Sequence, residues 1–152
     1  MLSKGSIKEE VKESLKKGES IVVMTLRSLL SEIEKKEIEL GKKDEGLTEE
    51  EMEKVAMGEL KKRNEAIEQY EKAGRDDLAE DEKKEAEILG KYVPEKMSDE
   101  ELESVVDGII KEKNPSGMQD MGAVMSGVMA KVGNKADGSK VSEMVKQKLQ
   151  NA

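Results

Sequence analysis

Residues 118–142 hold most of the side chains in this 152-residue chain whose types and spacing could serve recognition. Met118, Met121, Met125 and Met129 are separated by three, four and four positions, which would place them on one face of a helix. Methionine is unbranched and polarisable, so such a face either fills an irregular core or offers an adaptable surface to a partner helix or an RNA. Gly122, Ser126 and Gly127 keep the flanking surface small enough for another backbone or a ligand to come close. The helix is expected to stop at Gly133, and Asp137 stands where it would cap a last helix opened by Gly138, Ser139 and Lys140. Lys131, Lys135 and Lys140 could contact phosphates, joined by the amides at the start of that helix, with Gly122 and Gly138 permitting close approach.

A second constellation is spread along the chain. Arg27 lies within an apolar stretch, and Arg63 falls three residues after Leu60 and four before Ile67. An inward guanidinium without partners is costly, so each needs carboxylates or an exit to solvent. Glu82, four residues after Leu78, and Glu85, four before Leu89, are the natural partners. Two readings stay open: an ion pair inside a helical bundle, or a pocket between helices for an anion, because the guanidinium fork also suits phosphate.

Catalysis has few candidates. With no His and no Cys, the commonest general base, the thiol nucleophile and the usual zinc ligands are all missing. Carboxylates abound, but runs such as Glu49-Glu50-Glu51 belong to a helical first turn, where the macrodipole and solvent explain them. No phosphate loop, dinucleotide fingerprint or nucleophile elbow is present. The expectation is a protein that is not an enzyme on its own, with no metal and no cofactor.

Charged residues make up 41% of the chain and aromatics 1%, so a core must be built from Leu, Ile, Val, Met and Ala. That palette, together with long runs of Glu and Lys, favours helices over strands. Net charge is −8, yet residues 131–152 carry Lys131, Lys135, Lys140, Lys146 and Lys148 against only Asp137 and Glu143. A polyanion would be repelled by most of the protein and drawn, if anywhere, to this tail. Tyr70 and Tyr92 are the only aromatic residues and both lie outside it, so RNA would be read by shape and backbone rather than by base stacking. No run approaches the roughly 20 apolar residues that span a bilayer, and no secretory leader is discernible. A cytoplasmic monomer without membrane contact is the expectation, the missing cysteines fitting a reducing compartment.

The expected fold is all-α, with two small helical domains, 1–93 and 94–152, joined by an extended segment, Tyr92–Met97, that contains Pro94. Four helices precede it. Ser6 with Glu9 reads as the cap of the first, which ends at Gly18. Val22, Leu26, Leu29, Leu30 and Ile33 mark the second, ending at Gly41 before a mobile loop to Gly46. Thr48 with Glu51 caps the third, and the fourth runs from about Asp76 to Gly90. Ser98 with Glu101 opens the second domain of three helices, which packs Leu102, Val105, Val106, Ile109 and Ile110, with Val141, Met144, Val145 and Leu149 on the last helix.

The ordered set Met118-Gln119-Asp120-Met121-Gly122, Val124-Met125, Met129, Lys131-Val132 and Ala136-Asp137-Gly138 resembles the YqeY proteins. These share a motif with the C-terminal part of GatB, the B subunit of the tRNA-dependent amidotransferase. The resemblance extends through Thr25-Leu26-Arg27, Ile67–Arg75, Tyr92-Val93-Pro94-Glu95 and Ser98–Leu102, and so covers nearly the whole chain. It implies a tRNA-binding helical module accessory to a glutamine-dependent carbon–nitrogen ligase, without the bond-forming reaction. Lys131 and Asp137-Gly138 match the family pattern. The pattern often has Lys at Ala123, Gly at Ser126, Pro at Ala130 and Arg at Lys135; of these departures, the lost Lys and the Lys in place of Arg weaken phosphate recognition. The alternative partner is a protein, held on the Met and Gly face.

Overall fold

The computed structural model describes residues 2–151 as helices joined by short turns, with no strand among the described residues. The helices fall into two compact units, Met1–Val93 and Pro94–Ala152. In the first, α1 (Lys4–Lys17), α2 (Ser20–Glu39), α3 (Glu49–Lys72) and α4 (Asp76–Gly90) enclose a core centred on Ile7, Leu26, Leu29, Ile33, Ala56 and Leu89. The core repeats at 3.6-residue spacing because each helix presents one apolar stripe. Gly18 takes a left-handed conformation (φ 73°) and turns the chain from α1 into α2. The cap of α1 differs from the sequence expectation: Ser3, not Ser6, is the N-cap, and Ser6 is the reciprocal third residue of the box. Ser at this third position serves where Glu is usual, because its hydroxyl reaches the Ser3 amide at 3.0 Å. Thr48 and Glu51 form the expected box on α3.

Gly41 to Gly46 is a pair of hydrogen-bonded turns. The Lys42 amide donates to the Glu37 carbonyl and the Gly46 amide to the Lys42 carbonyl, both at 2.7 Å, and Lys42 Nζ meets Glu51 at 2.5 Å. Leu47 then enters the core. In the second unit, α5 (Asp99–Lys113), α6 (Met121–Val132) and α7 (Gly138–Gln150) contribute three buried side chains each. Leu102, Val106 and Ile109 meet Val124, Val128 and Val132, and Val141, Val145 and Leu149 complete the cluster. Ser98 and Glu101 form the expected cap of α5. Full burial of such a side chain contributes about 1.5–3 kcal/mol, so this small core depends on nearly all of its members. Gly127 lets α5 and α6 approach, since a Cβ there would stand 3.0 Å from Ile109 Cγ2 and 3.3 Å from Lys113 Cε.

Candidate functional site

The lysines singled out from the sequence gather where α6 passes into α7. Gly133 ends α6 at φ 53° and ψ −128°, a conformation that favours glycine, and its amide donates to the Met129 carbonyl. A 3-10 turn, Gly133–Lys135, follows. It is held from both sides: Asn134 is buried, and the Lys135 carbonyl accepts from the Met97 amide at 2.7 Å. Lys131 and Lys135 are exposed and have no ion pair or side-chain hydrogen bond among the described residues. Asn134, between them, is a site residue that the sequence offered no reason to select; a short polar residue after a helix-ending glycine is the only signal it carries.

Asp137 is the N-cap of α7, accepting from the Ser139 amide at 3.0 Å and from the Ser139 hydroxyl at 2.9 Å. Its carboxylate therefore occupies one of the amides that sequence reasoning offered to a phosphate. Lys140 is exposed but paired with Asp99 on α5. Further along α7, Lys148 bridges Glu103 at 2.7 Å and Asp107 at 3.0 Å. Those two carboxylates hold the Lys148 ammonium above its ordinary range, Glu103 first. Asp99, Glu103 and Asp107 recur every four residues, so α5 lays an acidic strip against α7. The four-residue spacing is legible in the sequence, whereas its pairing with the lysines depends on how α5 crosses α7. Gly122 and Gly138 are exposed, and a Cβ at either would meet nothing within 4 Å.

The methionines do not share a single helical face as expected. Met118 belongs to a separate 3-10 turn, Met118–Asp120, because Pro115 and the extended Gly117 delay the start of α6 to Met121. It is 40% exposed. Met121, Met125 and Met129 are half-buried against the Val124, Val128 and Val132 core, where they act as flexible edge packing.

The arginines also part company. Arg27 points to solvent and has no carboxylate partner among the described residues. Arg63 takes the ion-pair role, its Nε 2.8 Å from Glu85 and 3.6 Å from Glu82. Glu59, one turn back on α3, stands 3.7 Å from Arg63 Nη1 and also binds Lys62 at 3.0 Å, a partner along the same helix that pairing between helices did not suggest. Burial, then the charge of Glu85, raises the Glu82 carboxyl, with Arg63 opposing. Three carboxylates around one guanidinium leave no excess positive charge for an anion, so the arrangement favours the ion-pair reading of the two. No group of three or more Asp or Glu residues among the described residues is placed to hold a metal ion. No helix of the described residues is long and apolar enough to cross a membrane.

The sequence profile of the family described as Yqey-like protein matches residues 4–149. The chain belongs to the YqeY family. It is 37% identical over 108 residues to the protein named altered inheritance of mitochondria protein 41, mitochondrial, of Clavispora lusitaniae, covering 71% of this chain and 58% of that one. The protein of the same name from Candida glabrata is 33% identical over 60% of this chain and 50% of its own length. The chain thus spans 58% and 50% of the lengths of these two relatives. A glutamyl-tRNA(Gln) amidotransferase subunit of Thermococcus gammatolerans is 28% identical over 95% of this chain, a match that takes in 22% of that protein.

Proposed function

We propose that this chain is a tRNA-binding helical module, accessory to tRNA-dependent amidotransferase systems and without catalysis of its own. One observation carries the reading: Lys131 and Lys135 stand exposed and unpaired on either side of the Gly133 turn, in the segment 131–152, where five lysines meet only Asp137 and Glu143 although the chain as a whole has net charge −8. Similarity to an amidotransferase subunit along 95% of the chain supports the choice of tRNA as the polyanion. Lys131 and Lys135 would contact phosphates first, Lys140 after release from Asp99, and the bare backbone at Gly122 and Gly138 would admit the ribose-phosphate chain. The cytoplasm expected from the cysteine-free sequence remains part of this reading, although the two yeast relatives are named as mitochondrial.

We also infer that residues 1–93 and 94–152 are separate domains. Tyr92 and Val93 pack on the first core and Met97 on the second, which leaves Pro94, Glu95 and Lys96 as the joint. A protein adaptor is the second reading, favoured by Met118, whose exposed thioether lies just before Gly122.

Titration of a tRNA mixture at several salt concentrations tests the proposal. The triple variant Lys131→Glu, Lys135→Glu, Lys140→Glu should lose affinity and about one unit of salt slope per lost phosphate contact, with unchanged helical content. A variant that binds like the parent, or a parent that binds no tRNA at low salt, would favour the adaptor.

A further inference from the structure

The outward face of α2 is poor in charge along the first half of the helix. Between Ser20 and Ser31 the only ionisable side chain is Arg27, in a protein whose residues are 41% charged. Ile21, Met24, Ser28, Ser31, Lys35 and Ile38 follow one another at spacings of three, four, three, four and three, the a/d seam of a heptad. All six are exposed, Met24 and Ile38 by 63% and 66%. They lie opposite the stripe formed by Leu26, Leu29 and Ile33, which the core of the first unit already uses. Burying one stripe is enough for a helix in a small bundle, and of the second only Lys35 is engaged by an ion pair among the described residues, with Glu32 at 2.9 Å.

The seam is close to palindromic: isoleucine at both ends, a long flexible side chain next, and two serines in the middle. We infer that it pairs with the same seam of a second copy, the two α2 helices running antiparallel about a two-fold axis between Ser28 and Ser31. In that register Ile21 meets the partner's Ile38, Met24 lies along the aliphatic stem of the partner's Lys35, and Ser28 faces the partner's Ser31, where small side chains let the helices approach. Arg27 and Glu34 flank the seam on one side and have no ion pair among the described residues. Antiparallel pairing brings Arg27 to the partner's Glu34 and, by symmetry, Glu34 to the partner's Arg27. Parallel pairing would stack Lys35 on the partner's Lys35 and leave Glu34 unanswered. From Ser20 to Ser31 the helix also carries no carboxylate, so two chains of net charge −8 can meet there without opposing rows of carboxylates.

Sedimentation of the full chain across a concentration series provides the test. The parent should pass from the 16.9 kDa of one chain toward twice that mass as concentration rises. Arg27→Glu and Glu34→Arg should each weaken association at least tenfold, because each creates two like-charge pairs, and the double swap should restore it to within a few-fold of the parent. Circular dichroism should show all these chains equally helical, since the positions are exposed. The chain has no cysteine, so an oxidised mixture of Ser28→Cys and Ser31→Cys chains reports the orientation directly. The mixed disulfide should exceed both symmetric ones. A parent that stays at 16.9 kDa into the millimolar range overturns the pairing and makes another protein's helix the occupant of the seam. A double swap no better than its single components, or a preference for symmetric disulfides, also overturns it.

Discussion

Positive charge is treated in opposite ways at two places in this molecule. Between α3 and α4, Arg63 is only one-fifth exposed and three carboxylates face it. At the junction of α6 and α7, Lys131 and Lys135 stand in water with none. The contrast follows from solvation: a guanidinium between packed helices must be paired, whereas an ammonium at a helix end is hydrated at no cost. A free surface cation is therefore informative only where carboxylates are plentiful and still do not reach it. The contrast presupposes that each unit keeps its own core, and the largest predicted effect tests that. Leu26→Ala, at a fully buried position in the first unit, should cost about 2–5 kcal/mol there. Amide exchange in residues 99–149 should stay as slow as in the parent; equal loss of protection in both units would dissolve the comparison.

A second experiment turns one kind of cation into the other. Asp99→Asn, Glu103→Gln and Asp107→Asn together remove the acidic strip that engages Lys140 and Lys148. If phosphate is the ligand, affinity for tRNA should rise about tenfold and the salt slope should steepen by about two units, one for each released lysine. The exposed pairs themselves are worth about 0–1 kcal/mol each, so the fold should tolerate their loss. An unchanged slope would mean that Lys140 and Lys148 lie away from the RNA path.

Much of this was legible in the sequence, and the reasons for the exceptions are physical. Helix positions followed from apolar stripes, and the Thr48 and Ser98 caps from hydroxyl-to-glutamate spacing, because both signals are local. Ser3 escaped notice because a Ser–Ser box lacks the glutamate that usually marks one. Glu82 and Glu85 follow as Arg63 partners from helical spacing, whereas the same spacing leaves Arg27 between a partner and an exit to solvent, and one step around α2 from buried Leu26 leads to solvent. Which lysines pair with α5 depends on the crossing of two helices, and sequence spacing within one helix does not encode that. The methionine stripe misled for a related reason: a turn at Met118–Asp120 breaks the register that the spacing assumed.

The smallest effects separate two glutamates on the same arginine. Glu85 accepts from Arg63 Nε at 2.8 Å, whereas Glu82 stands 3.6 Å away. Glu85→Gln weakens a charge-assisted bond and should cost about 1 kcal/mol of stability at neutral pH, read by urea unfolding. Glu82→Gln should behave differently. Because burial raises the Glu82 carboxyl above its ordinary range, the folded chain retains its proton at pH values where the unfolded chain has released it. Its contribution is therefore present at low pH, falls as pH rises from the ordinary carboxylate value through the raised one, and is gone above it. An amide cannot ionise, so Glu82→Gln should equal or slightly exceed the parent at neutral pH, by less than about 1 kcal/mol, with the gap closing as pH falls below the ordinary carboxylate range. If Glu82→Gln instead costs as much as Glu85→Gln at neutral pH, Arg63 draws equally on both carboxylates.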